Sequence, residues 1–426
     1  MATLITTARR RRYHGGRSLH AVVCAMFLVH LVGCSTIERL PGVPPHMAAR
    51  AQTSGLAGVR YVVGVDHEAM RNDALAALER EMRWQASRGH EGPLPTAVYL
   101  AVSGGGDKGA FGAGLLNGWT ASGTRPQFKL VTGISTGALI APFAFLGSAY
   151  DDQLRELYTK VEPRDIFKPR NLLSGLLGDA MGDTTPLRRL TEKYITHEFL
   201  AAIAAEHEKG RILLVGTTDL DARRGVIWNM TKIAAIGGPR ALALFRSLLV
   251  ASAAIPGAFP PVLVDVEIDG IRHQELHVDG GAAAQVFVYP PAVSSRGGGE
   301  RQRMLYVVRN ARLDPDWVEV KPRTLSIVNR AIASLIQSQG VGDLFLIHEI
   351  AQRDGLDFNM AYIPASFDAP HRTDFDTVYM NALYETAYAM AAKGYPWEKA
   401  PPGLDAFGRA SAAEALRARG SQRPSP

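Results

Sequence analysis

Ser135 stands between two glycines, in Gly133-Ile134-Ser135-Thr136-Gly137, at the end of the apolar run from Phe128 to Thr132. A serine hydroxyl becomes a useful nucleophile when a sharp strand-to-helix turn lifts it clear of a sheet, and flanking glycines let the backbone make that turn without a Cβ clash. About thirty residues earlier, Ala97 to Val102 runs into Ser103-Gly104-Gly105-Gly106-Asp107-Lys108-Gly109 and then a helix-like stretch from Ala110 to Trp119. Consecutive glycines expose backbone N–H groups, and such donors at a helix N-terminus stabilise a developing oxyanion by about 3 kcal/mol each. Far downstream, the strand-like run Ile271 to Val278 ends in Asp279-Gly280-Gly281. A carboxylate held close to the serine there could take its proton. Nucleophile, proton acceptor and oxyanion donors are the parts of an acyl transfer.

Each patch also has a plainer reading. Gly-x-Ser-x-Gly alone is a turn, the glycine triplet a strand-to-helix connection, and Asp-Gly-Gly an Asx-type turn. Gly104-x-Gly106-x-x-Gly109 formally fits a dinucleotide fingerprint, yet about twenty residues beyond it stand Phe128, Lys129 and Leu130, with no acidic partner for a ribose.

Taken together, the three patches resemble the patatin-like phospholipases. That family's pattern has a Gly-Gly-Gly-x-Lys/Arg-Gly loop, a Gly-x-Ser-x-Gly elbow and an Asp-Gly-Gly or Asp-Gly-Ala turn, in that order. Here they read Gly104, Gly105, Gly106, Lys108 and Gly109; then Gly133, Ser135 and Gly137; then Asp279, Gly280 and Gly281. Asp183-Thr-Thr-Pro-Leu187 and the stretch from Ala251 to Val262 are also similar, so the resemblance covers about residues 96–310. It implies that Ser135 is the nucleophile and Asp279 the proton acceptor of a dyad without histidine, with Gly104 to Gly106 forming an oxyanion hole. The implied reaction is hydrolysis of fatty-acyl esters of phospholipids or lysophospholipids through an acyl-enzyme, with no metal or cofactor. A carboxylate with an ordinary pKa near 4 is a poor base for a hydroxyl, so such a dyad needs close contact and a desolvated aspartate.

Two residues depart from a smooth version of this picture. Asp107 puts a negative charge beside the glycine loop, harmful unless it points away or Lys108 neutralises it. Pro142 falls in the second turn of the helix after Ser135, where a bend is expected. Two other readings stay open. An α/β-hydrolase triad would recruit His348 or His371, with His273 and His277 also close in sequence to Asp279. A lipid-binding or structural envelope lipoprotein would keep the fold without turnover.

The elements that must position these residues are short apolar strands, Val98 to Val102, Leu130 to Thr132 and Ile212 to Val215, alternating with helical stretches. Continuous apolar runs are expected of strands covered on both faces, which predicts a three-layer α/β/α fold with a mostly parallel central sheet. Val262 to Ile268 and Ile271 to Val278 are predicted to form a hairpin through Asp269-Gly270. Met304 to Arg309 adds a late strand after the glycine-rich stretch 294–299. The catalytic domain is placed at 96–310, behind a helical segment at about 67–88 within residues 34–95. Residues 311–395 are read as a C-terminal helical extension packed on the domain, and 396–426 as a disordered tail. Leu172, Leu173, Leu176, Leu177 and the stretch 187–203 are expected to roof the site and admit an acyl chain.

The chain has 426 residues, 46% of them hydrophobic, and a formal charge of +6. Much of that charge is N-terminal. Arg9 to Arg12 and Arg17 precede an apolar core from Leu19 to Val32, followed by Gly33-Cys34. The core falls short of the ~20 residues of a transmembrane helix and resembles a bacterial lipoprotein signal, 1–33, with Cys34 carrying the lipid. Removing the five arginines lowers the charge to about +1, which argues against nucleic acid as a partner. Only Cys24 and Cys34 are present, so the mature chain has no disulfide. Ser35 after the cysteine points to an outer-membrane, periplasm-facing location, with the membrane and an acyl-ester lipid as partners.

Overall fold

The computed structural model describes residues 39–170, 180–293, 301–314, 317–402 and 404. The expected signal segment, Cys34, the leucines at 172–177, the stretch 294–299 and the tail from 405 lie outside the described residues.

Two short strands, β1 (Gln52–Thr53) and β2 (Arg60–Val62), and helix α1 (His67–Ser87) precede β3 (Ala97–Val102). Then follow α2 (Gly109–Ala121), β4 (Leu130–Ile134), α3 (Thr136–Leu146), α4 (Asp151–Thr159), α5 (Pro163–Ile166), β5 (Lys168–Pro169) and β6 (Gly182–Asp183). Helices α6 (Thr185–Tyr194) and α7 (His197–Glu208) lead to β7 (Ile212–Asp219), β8 (Arg224–Asn229), α8 (Met230–Ile236) and α9 (Gly238–Ser252). The hairpin β9 (Val262–Ile268) and β10 (Ile271–Asp279), then β11 (Arg303–Arg309), α10 (Thr324–Asp354), β12 (Asp357–Tyr362) and α11 (Thr377–Ala392) complete the chain.

Strands β12-β11-β3-β4-β7 run parallel and form the centre of the sheet. Alternate residues feed two cores. Val98, Leu100 and Val102 of β3 face one with α2, α3, α7, α9 and α11, while Ala101 of β3 and Leu305 and Val307 of β11 face the other with the second half of α10. That is the expected three-layer α/β fold. Helix α3 is buried almost all round and runs unbroken through Pro142. Its residues are apolar on every side, so packing outweighs the missing N–H. Gly114 and Gly118 let α2 lie against α11, because a Cβ there would stand 2.2 and 2.3 Å from the carbonyl oxygens of Tyr384 and Tyr388.

Antiparallel strands extend the sheet past β7. On one edge of β7, β4 pairs along residues 212–216 and β10 takes over at 217–219, so Asp279 opposite Thr217 arrives just beyond the end of β4. The predicted hairpin is present, with Asp269 and Gly270 both at positive φ.

Several expected boundaries change. Strands β1 and β2 from the N-terminal segment and β12 from the C-terminal extension belong to the sheet, so the extension is not purely helical. The stretch 187–203 is two helices, broken at Ile195 and Thr196. Residues expected to open the tail remain on the domain: Trp397 packs on Trp119 and Tyr306, and Glu398 bridges to Met360. The first half of α10 is exposed rather than packed.

Candidate active site

The site lies at the carboxyl ends of β3 and β4, next to the point where the connection from β3 leaves toward β4 and that from β11 leaves toward β12, a place where open α/β sheets commonly form a crevice. Ser135 links β4 to α3 at φ 56 and ψ −125. A non-glycine residue there stores about 1–3 kcal/mol of strain and must be held by its surroundings. Its N–H donates to Ser252 Oγ at 3.0 Å, and that hydroxyl donates to the carbonyl of Gly216 at 2.7 Å. Its carbonyl accepts from Ala138 at 2.9 Å, opening α3. A Cβ on Gly133 would stand 2.3 Å from the carbonyl oxygen of Gly137, and one on Gly137 equally close to that of Val102, so the turn closes only with glycine at both places.

Asp279 meets Ser135 from the other side. Its carboxylate lies close enough to Ser135 for that hydroxyl to act on its pKa, and through Oδ1 it accepts from the Gly281 N–H at 2.7 Å. Burial pushes its pKa up to about 6; Ser135 and the Gly281 N–H pull only partly against that rise. Ser135 and Asp279 are 7% and 5% exposed, so the pair is desolvated yet reachable. Gly280 and Gly281 press against Gly216 and Gln285 respectively.

The glycine loop lies against the elbow. Gly104 sits where a Cβ would be 3.2 Å from that of Ser135, and its N–H is engaged by the carbonyl of Gln285 at 3.0 Å. It therefore shapes the loop and is not an oxyanion donor. The N–H groups of Gly105 and Gly106 have no acceptor among the described residues, and neither has that of Thr136, a third donor at the start of α3. Asn310, fully buried after β11, clamps the loop: its Nδ2 donates to the carbonyl of Ser103 at 2.9 Å and its Oδ1 accepts from Gly112 at 3.0 Å. Gly109 packs against Thr136.

Asp107 finds a partner that its neighbours in sequence do not suggest. It is buried, and its Oδ2 accepts from the Phe375 N–H at 2.9 Å and pairs with His371 Nε2 at 2.6 Å. Its charge thus faces the crossing segment before α11, not Lys108, which stays half-buried. His371 is committed to that contact. His277 is buried between Thr217 and Glu275, with Glu275 held at about 2: burial raises its pKa, but bonds from His277 and Arg60 outweigh it. His273 meets the carbonyls of Pro41 and Gly42, and His348 lies edge-on to Phe358. No described hydrogen bond joins a histidine to Ser135 or Asp279.

An apolar cleft of about 570 Å³, counted to its open mouth, begins at Gly106 and Thr136 and runs under Leu139, Phe143, Leu187, Leu190 and Phe375. Helix α6 lines the cleft, whereas residues 196–203, also expected to roof it, do not reach it.

Residues 100–291 match the family model for patatin-like phospholipase. The chain carries a patatin-like phospholipase domain. All three motif segments fall within the match, and this family supports lipid hydrolase activity. Among solved structures, the chain is similar to VipD from Legionella pneumophila, at 10% identity over 71% of this chain and 68% of that one, with a TM-score of 0.36. It is also similar to ExoU from Pseudomonas aeruginosa, solved with SpcU, at 13% identity over 70% of this chain and 52% of that one, with a TM-score of 0.25. No curated protein matches the chain.

Residues that support this patatin-like site without standing in its motifs escape a reading of the sequence. Ser252 carries one signal, a lone hydroxyl in the apolar end of α9, within the stretch 251–262. Asn310 and Gln285 carry none, because their roles depend on strands brought together from distant sequence.

Proposed function

We propose that the protein is a serine acyl hydrolase that cleaves fatty-acyl ester bonds of phospholipids or lysophospholipids through Ser135 and Asp279. The observation that carries this is the buried Asp279 carboxylate beside Ser135, its pKa pushed up to about 6 by burial. A carboxylate raised toward neutrality, and still ionised at pH 7, is a better base than an ordinary aspartate. Ser135 Oγ attacks the ester carbonyl carbon as its proton passes to Asp279. The carbonyl oxygen becomes an oxyanion facing the N–H groups of Gly105 and Gly106. Collapse expels the lipid alkoxide, which takes the proton back from Asp279 and leaves the acyl group on Ser135. Water then attacks the acyl-enzyme, again losing a proton to Asp279, and the fatty acid departs as Ser135 is restored. The acyl chain fits the cleft beneath α6, whose walls are apolar where they meet Thr136 and Gly106.

On the same reading, residues 1–33 deliver the enzyme and acylated Cys34 tethers it to the outer membrane, facing the periplasm. A fluorophosphonate probe tests the chemistry. It should label the wild type and not Ser135→Ala, with release of fatty acid from mixed phospholipid micelles lost in parallel; an unlabelled wild type would favour a non-catalytic envelope lipoprotein.

A further inference from the structure

Helix α10 reverses the usual sidedness of a surface helix. Its second half packs Leu344, Ile347, Ile350 and Ala351 on the sheet, while its first half leaves the body of the domain. In that first half the half-buried side carries Ser326, Arg330 and Gln337, and Gln337 Nε2 donates to the carbonyls of Arg312 and Leu313. The side turned away carries two adjacent rows at i, i+4, i+8 spacing, Ile327-Ala331-Leu335 and Val328-Ile332-Ile336. All six are exposed, Leu335 by 70%. Just before the helix, Trp317 is 86% exposed, with Val318 and Val320 also open. A contiguous apolar face of this kind, pointing outward from a helix whose polar side meets the protein, marks an interaction surface.

We infer that this face of α10 docks the enzyme onto a lipid surface. Three observations select that occupant. Charge is sparse on the outward side: Lys321 and Arg323 precede the helix, Glu319 stands between Val318 and Val320, and the one charged residue from Thr324 to Gly342, Arg330, lies on the half-buried side. Aliphatic rows beside an exposed tryptophan suit the boundary between headgroups and acyl chains. No described helix is long and apolar enough to cross a membrane, so α10 would lie on it. The face is also rooted at the rim of the site. Gln339 Nε2 donates to the carbonyl of Ala283 at 2.6 Å, Asp343 Oδ2 accepts from the Gln285 N–H at 2.6 Å, and Gln285 in turn receives the Gly104 N–H and donates to the carbonyl of Gly281. One residue therefore separates the base of the projecting helix from both the glycine loop and the Asp279 turn. Docking through α10 would bring lipid to the Ser135 cleft, and in that respect the inference rests on the proposed acyl hydrolase reading.

The test uses full-length Ser135→Ala protein, which cannot turn lipid over, with vesicles of phosphatidylcholine alone or with 30% phosphatidylglycerol. Both kinds of vesicle should be bound, and bromine-labelled acyl chains should quench tryptophan emission by an amount lost in Trp317→Phe. Ile332→Glu with Leu335→Glu should lower vesicle partition about tenfold while leaving the melting temperature in place, since both side chains are exposed. With Ser135 intact, the same double variant should lower the ratio of vesicle to soluble-ester activity by a similar factor. Binding through the N-terminus alone would give no Trp317-dependent quenching, and that result overturns the inference. So does a stable dimer in solution that the double variant converts to monomer without any change in vesicle partition. If Trp317 quenching occurs as expected but no variant or wild type turns over any ester, the docking stands and the acyl hydrolase reading fails.

Discussion

Replacing Asp279 with asparagine should remove catalysis and at the same time stabilise the fold, by an amount that depends on pH. Asparagine retains an oxygen for the Gly281 N–H, 2.7 Å away, and its amide can face Ser135 Oγ, so the shape of the turn is kept. What disappears is a buried charge. Asp279 titrates at about 6 in the folded protein against an ordinary value of 3.8, so folding favours its protonated form. Below about pH 3 the carboxyl is neutral in folded and unfolded chains alike, and its contribution to stability is fully present. As pH rises through the folded pKa that contribution is lost, reaching a deficit of roughly 3 kcal/mol at pH 7, the free energy of holding a proton about a hundredfold more tightly. The asparagine side chain has no proton to lose. The stability difference between variant and wild type should therefore grow by about 3 kcal/mol between pH 3 and pH 7.5, worth several degrees in melting temperature at this chain length. Thermal unfolding followed by circular dichroism across that range measures it directly. In parallel, wild-type kcat/KM on a soluble ester should climb through about pH 6 and that of Asp279→Asn should be lower by about 100-fold or more. A stability difference independent of pH would refute the desolvated-base argument, because it would mean that the carboxyl gains nothing by holding its proton in the folded state.

Gly105→Ala places a Cβ 2.2 Å from the carbonyl oxygen of Asn310 at a φ of 155, so the loop must move; kcat/KM should fall by about 100-fold or more while Ser135 remains in place. Asp107→Ala leaves His371 and the Phe375 N–H without their acceptor and should destabilise the protein by about 2 kcal/mol in urea unfolding, whereas Asp107→Asn, which keeps an oxygen there, should recover most of it. Leu190→Trp fills the cleft beneath α6, so the ratio of decanoyl to butyryl ester hydrolysis should drop about tenfold or more, as expected when several buried methylenes lose their place. Cys34→Ala should abolish incorporation of radiolabelled fatty acid into the protein, and incorporation that persists would remove the lipoprotein reading.

The elements around Ser135 are legible in the sequence because their signals are local. Glycines at 133 and 137 and the apolar residues on either side dictate a strand, a sharp turn and a helix within about twenty residues, and no distant contact is needed to anticipate them. The hairpin through Asp269-Gly270 is legible for the same reason, since positive φ at two adjacent positions is a property of those residues. For Asp107, sequence proximity suggests Lys108 as the partner, whereas the charge is met by a segment some 260 residues away. The first half of α10 departs from the expected packing because apolar periodicity reports that a face will be covered, not by what.

By itself the sequence determined which chemistry was available: one hydroxyl on a turn, one carboxylate at a strand end, three glycines able to expose amides, and an apolar cadence sufficient for a layered sheet. Whether these became one site was decided by strand order. Because β10 takes over the edge of β7 just where β4 stops, Asp279 comes to lie against Ser135, and the burial produced by that meeting raises a carboxyl pKa that no local sequence could have perturbed. Proton affinity in the site is thus a property of packing, since it comes from water excluded by residues that are distant along the chain.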